Sequence, residues 1–140
     1  MKINKHRHKS KLIVIEDSSL LVLEKNDKKR YVFIGGFLKK RESPEEGLIR
    51  EIYEETGVIL NKNHFKYYTT NTIINGDKNA LSRHYFILTK KEQKFINKEP
   101  EKFKSLKWVK WTKVIKFTNS FDKNIIERLF NTLIDHETHI

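Results

Sequence analysis

Short apolar runs bounded by turn-forming residues recur along the chain and predict β-strands. Three such runs precede residue 40, and they cover residues 11–16, 20–24 and 31–34. Three more follow residue 60, and they cover residues 64–75, 83–89 and 106–111. Polar sequences at 26–29 and 75–77 have the composition of turns. The pattern predicts a protein that is rich in strands.

Two segments show features of helices instead. Residues 120–134 carry apolar residues at the three-to-four-residue spacing of a helix face that packs on a sheet, namely Ile125, Ile126, Leu129, Phe130 and Leu133. Residues 112–117 are predicted to form a short helical connection. The resulting order of strands, helix, strands and helix predicts an α/β or α+β fold with a mixed sheet between helical layers.

The first helix has well-defined predicted ends. Ser43 and Glu46 match a capping box, and Pro44 stands at the first helical position, where no amide donor is lost. Gly57 can adopt the left-handed conformation that closes a helix. We therefore expect a helix over 44–56, followed by a strand because Val58 and its neighbour are β-branched.

Three glutamates on this helix are candidate ligands for a cation. Glu51, Glu54 and Glu55 are spaced i, i+3 and i+4, so they crowd one face, and Gly47 one turn earlier leaves room beside them. A cation at their centre would turn their mutual repulsion into attraction. The alternative is a solvated acidic face, in which Arg50 pairs with glutamates one turn away.

The segment 36–58 resembles the signature of the Nudix hydrolases. It reads Gly36, five residues, Glu42, seven residues, Arg-Glu, an aliphatic residue, any residue, Glu-Glu, any residue, Gly and an aliphatic residue. Every fixed letter of the signature is present. The resemblance implies an α/β/α sandwich that hydrolyses a diphosphate linked to another moiety with the help of Mg²⁺ or Mn²⁺.

The resemblance also implies roles for individual residues. The carbonyl of Gly36 and the carboxylates of Glu54 and Glu55 would be metal ligands, and Glu51 would be a ligand or the general base. Arg50 would orient Glu51, so Arg50, Glu51 and Glu54 are the expected catalytic residues. By the same resemblance, Glu42 would brace the loop.

A second, shorter resemblance concerns the later part of the chain. Residues 97–102 read Asn-Lys-Glu-Pro-Glu-Lys and are followed by Trp108-Val-Lys-Trp111, as in MutT-like nucleoside triphosphate pyrophosphohydrolases. It implies that Glu99 or Glu101 supplements the helix glutamates at the metal; the alternative is a loop charge. Trp108 and Trp111 have opposite parity on one predicted strand, so at most one faces the cleft. Core packing is the preferred interpretation for either ring, and Trp108 is the candidate for substrate contact.

Two residues depart from the common form of the family loop. Lys39 replaces a glutamate and Arg41 replaces a glycine, which adds positive charge beside the expected phosphate channel. Both are candidate substrate-binding residues, and they weaken any inference of substrate from relatives with the acidic version.

Length and composition bound the remaining possibilities. The 140 residues suit one domain over 1–140, with a basic lead-in over 1–10 that we expect to be a solvated terminus or the approach to an edge strand. His6 and His8 in that lead-in could hold a metal, but a solvated stretch is the preferred interpretation. The absence of Cys suits a reducing compartment, and the apolar runs are too short for a membrane span, so we expect a cytoplasmic protein.

The net charge of +11 raises the possibility of nucleic-acid binding. The signature segment holds four Lys/Arg and six Glu, so the rest of the chain, with 25 Lys/Arg and 12 Asp/Glu, carries +13. An acidic cleft in a basic surround could attract polyphosphates or RNA. A chain rich in Lys, Asn and Ile also reflects AT-rich coding, so charge alone does not assign RNA binding.

Three functions are compatible with the sequence. The first is hydrolysis of an NTP or dNTP to a monophosphate and pyrophosphate, and the second is a pyrophosphohydrolase or decapping enzyme at RNA 5′ ends. The third, a non-catalytic Nudix-fold sensor, is disfavoured because no signature carboxylate is missing.

Overall fold

The computed structural model describes residues 2–90 and 92–138. In this part of the chain the strands are Lys5–Ile13 (β1), Ile15–Glu16 (β2), Ser19–Lys25 (β3), Tyr31–Val32 (β4), Ile34–Phe37 (β5), Phe65–Ile74 (β6), Asn79–Leu88 (β7) and Phe103–Lys110 (β8). The α-helices are Pro44–Thr56 (α1), Trp111–Val114 (α2) and Ser120–Thr138 (α3). A single 3₁₀ turn over Lys62–His64 leads into β6.

The strands form two four-stranded sheets. The first has the order β5-β1-β7-β6 and is mixed, because β1 and β7 are parallel while its other pairs are antiparallel. In the second, β3 pairs with β8 along one edge and with the short β2 and β4 along the other. The strand β1 lies inside the first sheet and leads directly into β2 of the second.

Helices cover both faces of these sheets. Side chains alternate along the strands, so Leu12 packs into a core cluster with Leu48 and Ile52 of α1, whereas Ile13 packs into another with Ile126 of α3. The two clusters lie on opposite sides of the sheet layer. This arrangement confirms the predicted α/β/α sandwich with a mixed sheet.

The helix α1 has the predicted boundaries and caps. The Ser43 side chain accepts a hydrogen bond from the Glu46 amide at 3.1 Å, and the Glu46 carboxylate accepts one from the Ser43 amide at 2.9 Å. Gly57 closes the helix with φ 76°. These contacts involve residues within one turn of each helix end, which is why the sequence alone predicts them.

The beginning of the chain differs from the prediction. Residues 5–10 are not a lead-in but the first part of β1, which pairs with β7 from Lys5 to Ile13 and with β5 from Lys9 to Leu12. The sequence did not predict this strand, because residues 5–10 are all polar and show no alternating apolar pattern. His6 and His8 instead bond polar groups of β7: His6 bonds Ser82 at 2.7 Å and His8 bonds His84 at 2.9 Å.

Three further boundaries also differ. Val58 and Ile59 do not form a strand, because the chain crosses there from α1 to the 3₁₀ turn. The predicted strand 31–34 is divided into β4 and β5, so that β5 carries the two glycines. Trp111 begins α2 instead of ending β8, and its ring stacks on Phe130 of α3 at 5.1 Å. The packing of Leu133 lies outside the described side chains.

Candidate active site

The helix α1 is held against β5 by two hydrogen bonds to the backbone of that strand. The Gly35 amide donates to the Glu55 carboxylate at 2.7 Å, and the Arg50 guanidinium donates to the Phe37 carbonyl at 3.0 Å. Gly35 has φ 141°, and a Cβ there would lie 2.0 Å from the Ser10 carbonyl oxygen. Only glycine fits this approach, which brings the signature glutamates to the strand.

The three signature glutamates on α1 differ in burial. Glu55 belongs to the buried stripe of α1 and is 4% exposed, Glu51 is half-buried, and the Glu54 side chain is 46% exposed. The three carboxylates therefore do not share one environment, because their exposure increases from Glu55 through Glu51 to Glu54. Tyr53 of the same helix is 56% exposed.

Burial gives Glu55 unusual acid–base properties. Desolvation, helped by the nearby charges of Glu51 and Glu99 and opposed by the hydrogen bond from Gly35, raises the pKa of the Glu55 carboxyl to about 8. Desolvation also raises the pKa of Glu51, opposed by its hydrogen bond to Arg50. Glu51, Glu55 and Glu99 are thus close enough to repel one another.

Arg50 connects the loop before α1 to the signature carboxylates. Its guanidinium donates to Glu42 at 2.6 and 2.9 Å, to Glu51 at 3.0 Å and to Glu54 at 3.2 Å. The bond from Arg50 holds the pKa of Glu42 below its usual value, and Glu42 also accepts the Lys39 amide at 2.8 Å. Arg50 therefore fixes the loop and the Glu51 carboxylate together.

The glycines of the signature have separate tasks. A Cβ on Gly36 would lie 2.7 Å from the Glu51 carboxylate, so the absence of a side chain there gives the carboxylate its position. A Cβ on Gly47 would lie 2.8 Å from Leu38 and 3.2 Å from Glu42. Gly47 was expected to leave room for an ion, but its space is taken by Leu38 of the preceding loop.

The loop before β8 places its two glutamates differently. Glu99 is partly buried near Glu51 and Glu55 and pairs with Lys102 at 3.1 Å, while the Lys98 amide donates to the Glu55 carbonyl at 2.8 Å. Glu101 is exposed. Of the two alternatives, the structure brings Glu99 to the signature helix.

The predicted substrate residues lie in two regions. Lys39 and Arg41 are exposed in the loop beside Glu42, and both line a groove of about 440 Å³ with Lys5, Arg7 and Lys40. Trp108 is 45% exposed and instead lines a shallow site with residues 16–19. The structure thus keeps Lys39 and Arg41 beside Glu42, in the loop before α1, and places Trp108 in a separate region.

Two features of the site were missed by the sequence reasoning. The Lys102 partner of Glu99 follows it by three residues, a spacing that the sequence displays. The basic part of β1 also reaches the loop before α1, since the Leu38 amide donates to the His8 carbonyl at 2.9 Å. No local signal reveals that second contact, because it joins residues that are 30 positions apart in the chain.

The donor set suits a hard divalent cation. Among the described residues, no three carboxylate or imidazole side chains converge on one point, and Arg50 holds Glu51 and Glu54. However, Glu51, Glu55 and Glu99 supply carboxylate oxygens whose repulsion a cation would relieve, and the Gly36 backbone lies against Glu51. Oxygen ligands of this kind are those that Mg²⁺ takes in proteins.

Fold and site together define a helix that presents carboxylates to a glycine-containing strand within an α/β/α sandwich. The NUDIX domain family model matches residues 6–129, and the chain belongs to this family. The predicted resemblance is thereby confirmed.

Individual relatives agree with this assignment. A MutT-like protein of Streptomyces ambofaciens is 40% identical over 47 residues, which is 34% of this chain and 30% of that protein. The mutator MutT protein of Bacillus halodurans superposes with a TM-score of 0.68 at 25% identity, over 86% of this chain and 80% of that one. The MutT NUDIX hydrolase of Burkholderia pseudomallei gives 0.65 at 17% identity, over 78% and 86% of the two chains.

Within residues 2–90 and 92–138, none of the helices combines the length and the hydropathy that a bilayer crossing requires.

Proposed function

We propose that this chain, as a single domain over 1–140, hydrolyses a nucleoside polyphosphate, most simply an NTP or dNTP, to a monophosphate and pyrophosphate. The supporting observation is the position of α1, which brings the buried Glu55 and the half-buried Glu51 to the glycines of β5, with the loop residue Glu99 near both carboxylates. A cytoplasmic location stays a prediction from the sequence.

The residues of the site have distinct proposed tasks. Glu51, Glu54, Glu55 and Glu99, with the Gly36 carbonyl, would hold Mg²⁺ or Mn²⁺, and Glu51 is a ligand or the general base. When bound, the divalent ion supplies neutralisation of phosphate charge and acidification of water for in-line attack at phosphorus. Arg50 orients Glu51 through the 3.0 Å bond, and Lys39 and Arg41 attract the phosphates.

The test is phosphate release from a panel of nucleotides with Mg²⁺, with and without added pyrophosphatase. Release that requires pyrophosphatase identifies pyrophosphate as the product and the reactive nucleotide as the substrate. EDTA is expected to abolish the release. If no nucleotide releases phosphate under either condition, the proposal is wrong.

Glu54→Gln is expected to lower Mg²⁺-dependent turnover by about 100-fold or more, because even groups that only support metal ligands contribute 10–100-fold. The folded structure should persist, since the Glu54 side chain is 46% exposed. Steady-state kinetics and circular dichroism measure the two effects. The matched control, Glu127→Gln on α3, should leave turnover unchanged, and near-normal turnover of Glu54→Gln would exclude its metal role.

A second candidate function is removal of pyrophosphate from RNA 5′ ends. It is favoured by the basic groove that contains Lys39 and Arg41 and reaches Glu42 at the catalytic helix. The nucleotide panel therefore includes 5′-triphosphorylated RNA. Activity on RNA alone would replace the first candidate with this one, while a non-catalytic sensor would bind nucleotides without turnover.

A further inference from the structure

The α3 side of the first sheet carries a row of cations at the level where that helix begins. Side chains alternate along β1, so Arg7 and Lys9 point to the same side as Lys11, which lies 4.0 Å from Asp122 in the first turn of α3. Arg83 of β7 lies opposite Lys9 in the strand register. Arg7 is exposed, whereas Lys9 and Arg83 are partly buried. Three cations therefore lie side by side on two adjacent strands.

Aromatic rings hold these three cations in position. The Arg7 guanidinium lies 3.7 Å and the Lys9 ammonium 4.5 Å from the centre of the Phe37 ring. The Arg83 guanidinium lies 4.6 Å from the centre of the Phe121 ring, in the first turn of α3. A ring attracts a cation through its quadrupole but carries no net charge. The contacts therefore order the cations and leave their positive charge in place.

Carboxylates do not neutralise the row. Among the described residues, none of the carboxylate oxygens lies within 4.0 Å of a charged nitrogen of the three cations. Asp122 is near Lys9, but it already accepts a 2.6 Å hydrogen bond from the Tyr85 hydroxyl. Burial, followed by the charges of Lys11 and Arg83, lowers the pKa of Lys9 to about 8. The cations therefore repel one another, and an anion among them would relieve that repulsion.

Arg83 also has a buried donor without an acceptor. Its Nη1 atom is buried and has no hydrogen-bond partner among the described residues. The same holds for the amide oxygen of Asn71, which lies opposite Arg83 on β6. Buried polar atoms in folded proteins nearly always have partners, and an amide can turn to present its NH₂ group instead. An anion beside Arg83 would supply the missing acceptor.

A small cavity adjoins the row and gives a ligand room. It has a volume of about 290 Å³, and its lining includes Arg7, Phe37, Asn79 and Leu81. Cavities of roughly this size are at the lower end of small-molecule sites. The planar guanidinium group matches the oxygens of a phosphate, which it binds through two parallel hydrogen bonds.

We propose that Arg7, Lys9 and Arg83 form a binding site for a phosphate group of a small ligand. The site is separate from the candidate active site, because the three cations lie on the α3 side of the sheet, whereas the Cβ direction of Gly36 points to Glu51 on α1. Binding requires no hydrolysis, so the proposal stands independently of the proposed function. The phosphate belongs either to the substrate itself or to a free ligand, and the kinetic experiment below separates these sources.

The first experiment titrates pyrophosphate into the protein in EDTA and follows the backbone amides by NMR. At about 0.1 M salt, the amides of residues 7–9 and 82–84 should shift with one common Kd. Lys9→Met and Arg83→Gln should each weaken this binding about tenfold, because each removes a hydrogen bond between charged groups. Arg83→Lys keeps the charge and should lose less. Lys113→Met on α2 removes one charge elsewhere and should bind as the unchanged protein does.

Asn71→Asp gives a sharper test, because it places a carboxylate opposite Arg83 where the anion is expected. This variant should abolish the shifts of residues 82–84. Thr72→Asp is the matched control, since it adds the same charge to the same strand on the opposite side of the sheet, where Thr72 bonds Ser82. It should retain pyrophosphate affinity within about twofold, because salt screens the more distant charge.

The second experiment identifies the source of the phosphate by measuring nucleotide hydrolysis in Mg²⁺. If the substrate supplies the phosphate, Lys9→Met and Arg83→Gln should raise KM in parallel with their loss of pyrophosphate affinity and leave kcat unchanged. If a free ligand supplies it, both kinetic constants should stay unchanged while pyrophosphate binding is lost. Absence of turnover in every protein would refute the proposed hydrolysis and leave the binding result intact.

Two outcomes of the titration would overturn the proposal. One is that pyrophosphate causes no shifts, or shifts only amides outside residues 7–9 and 82–84. The other is that Lys9→Met, Arg83→Gln and Asn71→Asp bind pyrophosphate as tightly as Lys113→Met does. Either result would show that the row is part of the solvated surface of a basic chain.

Discussion

Arg41 adopts a left-handed backbone conformation, with φ 69°, in the loop that precedes α1. Residues with a Cβ pay about 1–2 kcal/mol for this conformation, whereas glycine does not. The common form of the family loop has glycine at this position, so the arginine of this chain carries a conformational cost that glycine avoids. The benefit that we expect is its positive charge in the groove.

Arg41→Gly is expected to raise the free energy of unfolding by about 0.5–1 kcal/mol, because the relief of backbone strain exceeds the added entropy of the unfolded chain. Urea denaturation measures the change. Lys40→Gly is the matched control, since Lys40 lies next to Arg41 but has no positive φ, and it should lower stability. If Arg41→Gly also lowers stability, the left-handed strain is not significant.

Lys9 is a second residue that destabilises the folded state, and the size of its effect depends on pH. Burial, together with the nearby charges of Lys11 and Arg83, lowers the pKa of the Lys9 ammonium from 10.5 to about 8. Below pH 8 the charged Lys9 therefore lowers the free energy of unfolding, and this destabilisation disappears as the pH rises from about 8 to 10.5.

Lys9→Met should consequently be more stable than the unchanged protein at pH 7, by about 1 kcal/mol. This gain in the free energy of unfolding is smaller than the shift of the Lys9 pKa implies, because the Lys9 side chain is partly solvated. Thermal unfolding between pH 7 and 10.5 measures the difference, which should vanish at the upper end. Lys5→Met, at an exposed position of the same strand, is the control; a gain that does not depend on pH would refute the titration argument.

At the scale of elements, the contact between α1 and β5 is the feature that assembles the site. Two adjacent glycines of β5 allow it in different ways. Gly35 faces backbone atoms of β1 and has φ 141°, whereas Gly36 faces the end of a flexible side chain, that of Glu51. Substitution of the two should therefore separate folding from activity.

Gly36→Ala is expected to displace the Glu51 carboxylate and lower turnover by at least tenfold, while the free energy of unfolding changes by less than about 1 kcal/mol. Gly35→Ala should instead destabilise the fold by about 3 kcal/mol or more, because backbone atoms cannot move aside. Kinetics and urea denaturation measure both effects. Gly76→Ala, whose Cβ would meet nothing within 4 Å, is the control, and full activity of Gly36→Ala would contradict the assigned role.

Secondary structure was predicted best where its cause is local. The ends of α1 follow from Ser43, Pro44 and Gly57, and each acts within one turn of the helix end. The hairpin of β6 and β7 follows from the turn near Gly76. By contrast, the polar first half of β1 gave no apolar pattern, so its pairing with β7 could not be read from the sequence.

At the scale of the molecule, a buried polar cluster joins α3 to the first sheet. Asp122 of α3 is fully buried, accepts a 2.6 Å hydrogen bond from the Tyr85 hydroxyl and lies 4.0 Å from the Lys11 ammonium. Burial, followed by the Asp122 charge, raises the pKa of the Tyr85 hydroxyl, so Tyr85 stays a donor. The cluster fixes the outer helix to strands β1 and β7.

Asp122→Ala is expected to lower the free energy of unfolding by about 3 kcal/mol, because it leaves the Lys11 charge buried without its partner. Denaturant unfolding measures the loss. Asp122→Asn, which keeps a hydrogen-bond acceptor for Tyr85, should lose less, and Asp27→Ala in an exposed turn should lose little. If Asp122→Ala lowers the free energy of unfolding no more than Asp27→Ala does, the polar cluster does not stabilise the packing of α3 on the first sheet.

The sequence by itself determined the family, the α1 helix and the identity of the signature carboxylates, because these depend on residue types at fixed short spacings. The order of the predicted strands and helices also indicated a mixed sheet between helical layers, and the family resemblance implied the α/β/α sandwich.

Only the tertiary structure decided how the signature carboxylates differ. Glu55 is buried because it lies on the side of α1 that faces β5, whereas Glu54 at the neighbouring position is half-exposed. Likewise, the approach of the loop before β8 brings Glu99 to the helix and leaves Glu101 in solvent. The physical reason is that burial and charge coupling arise between segments distant in the chain, and residue spacing carries no information about them.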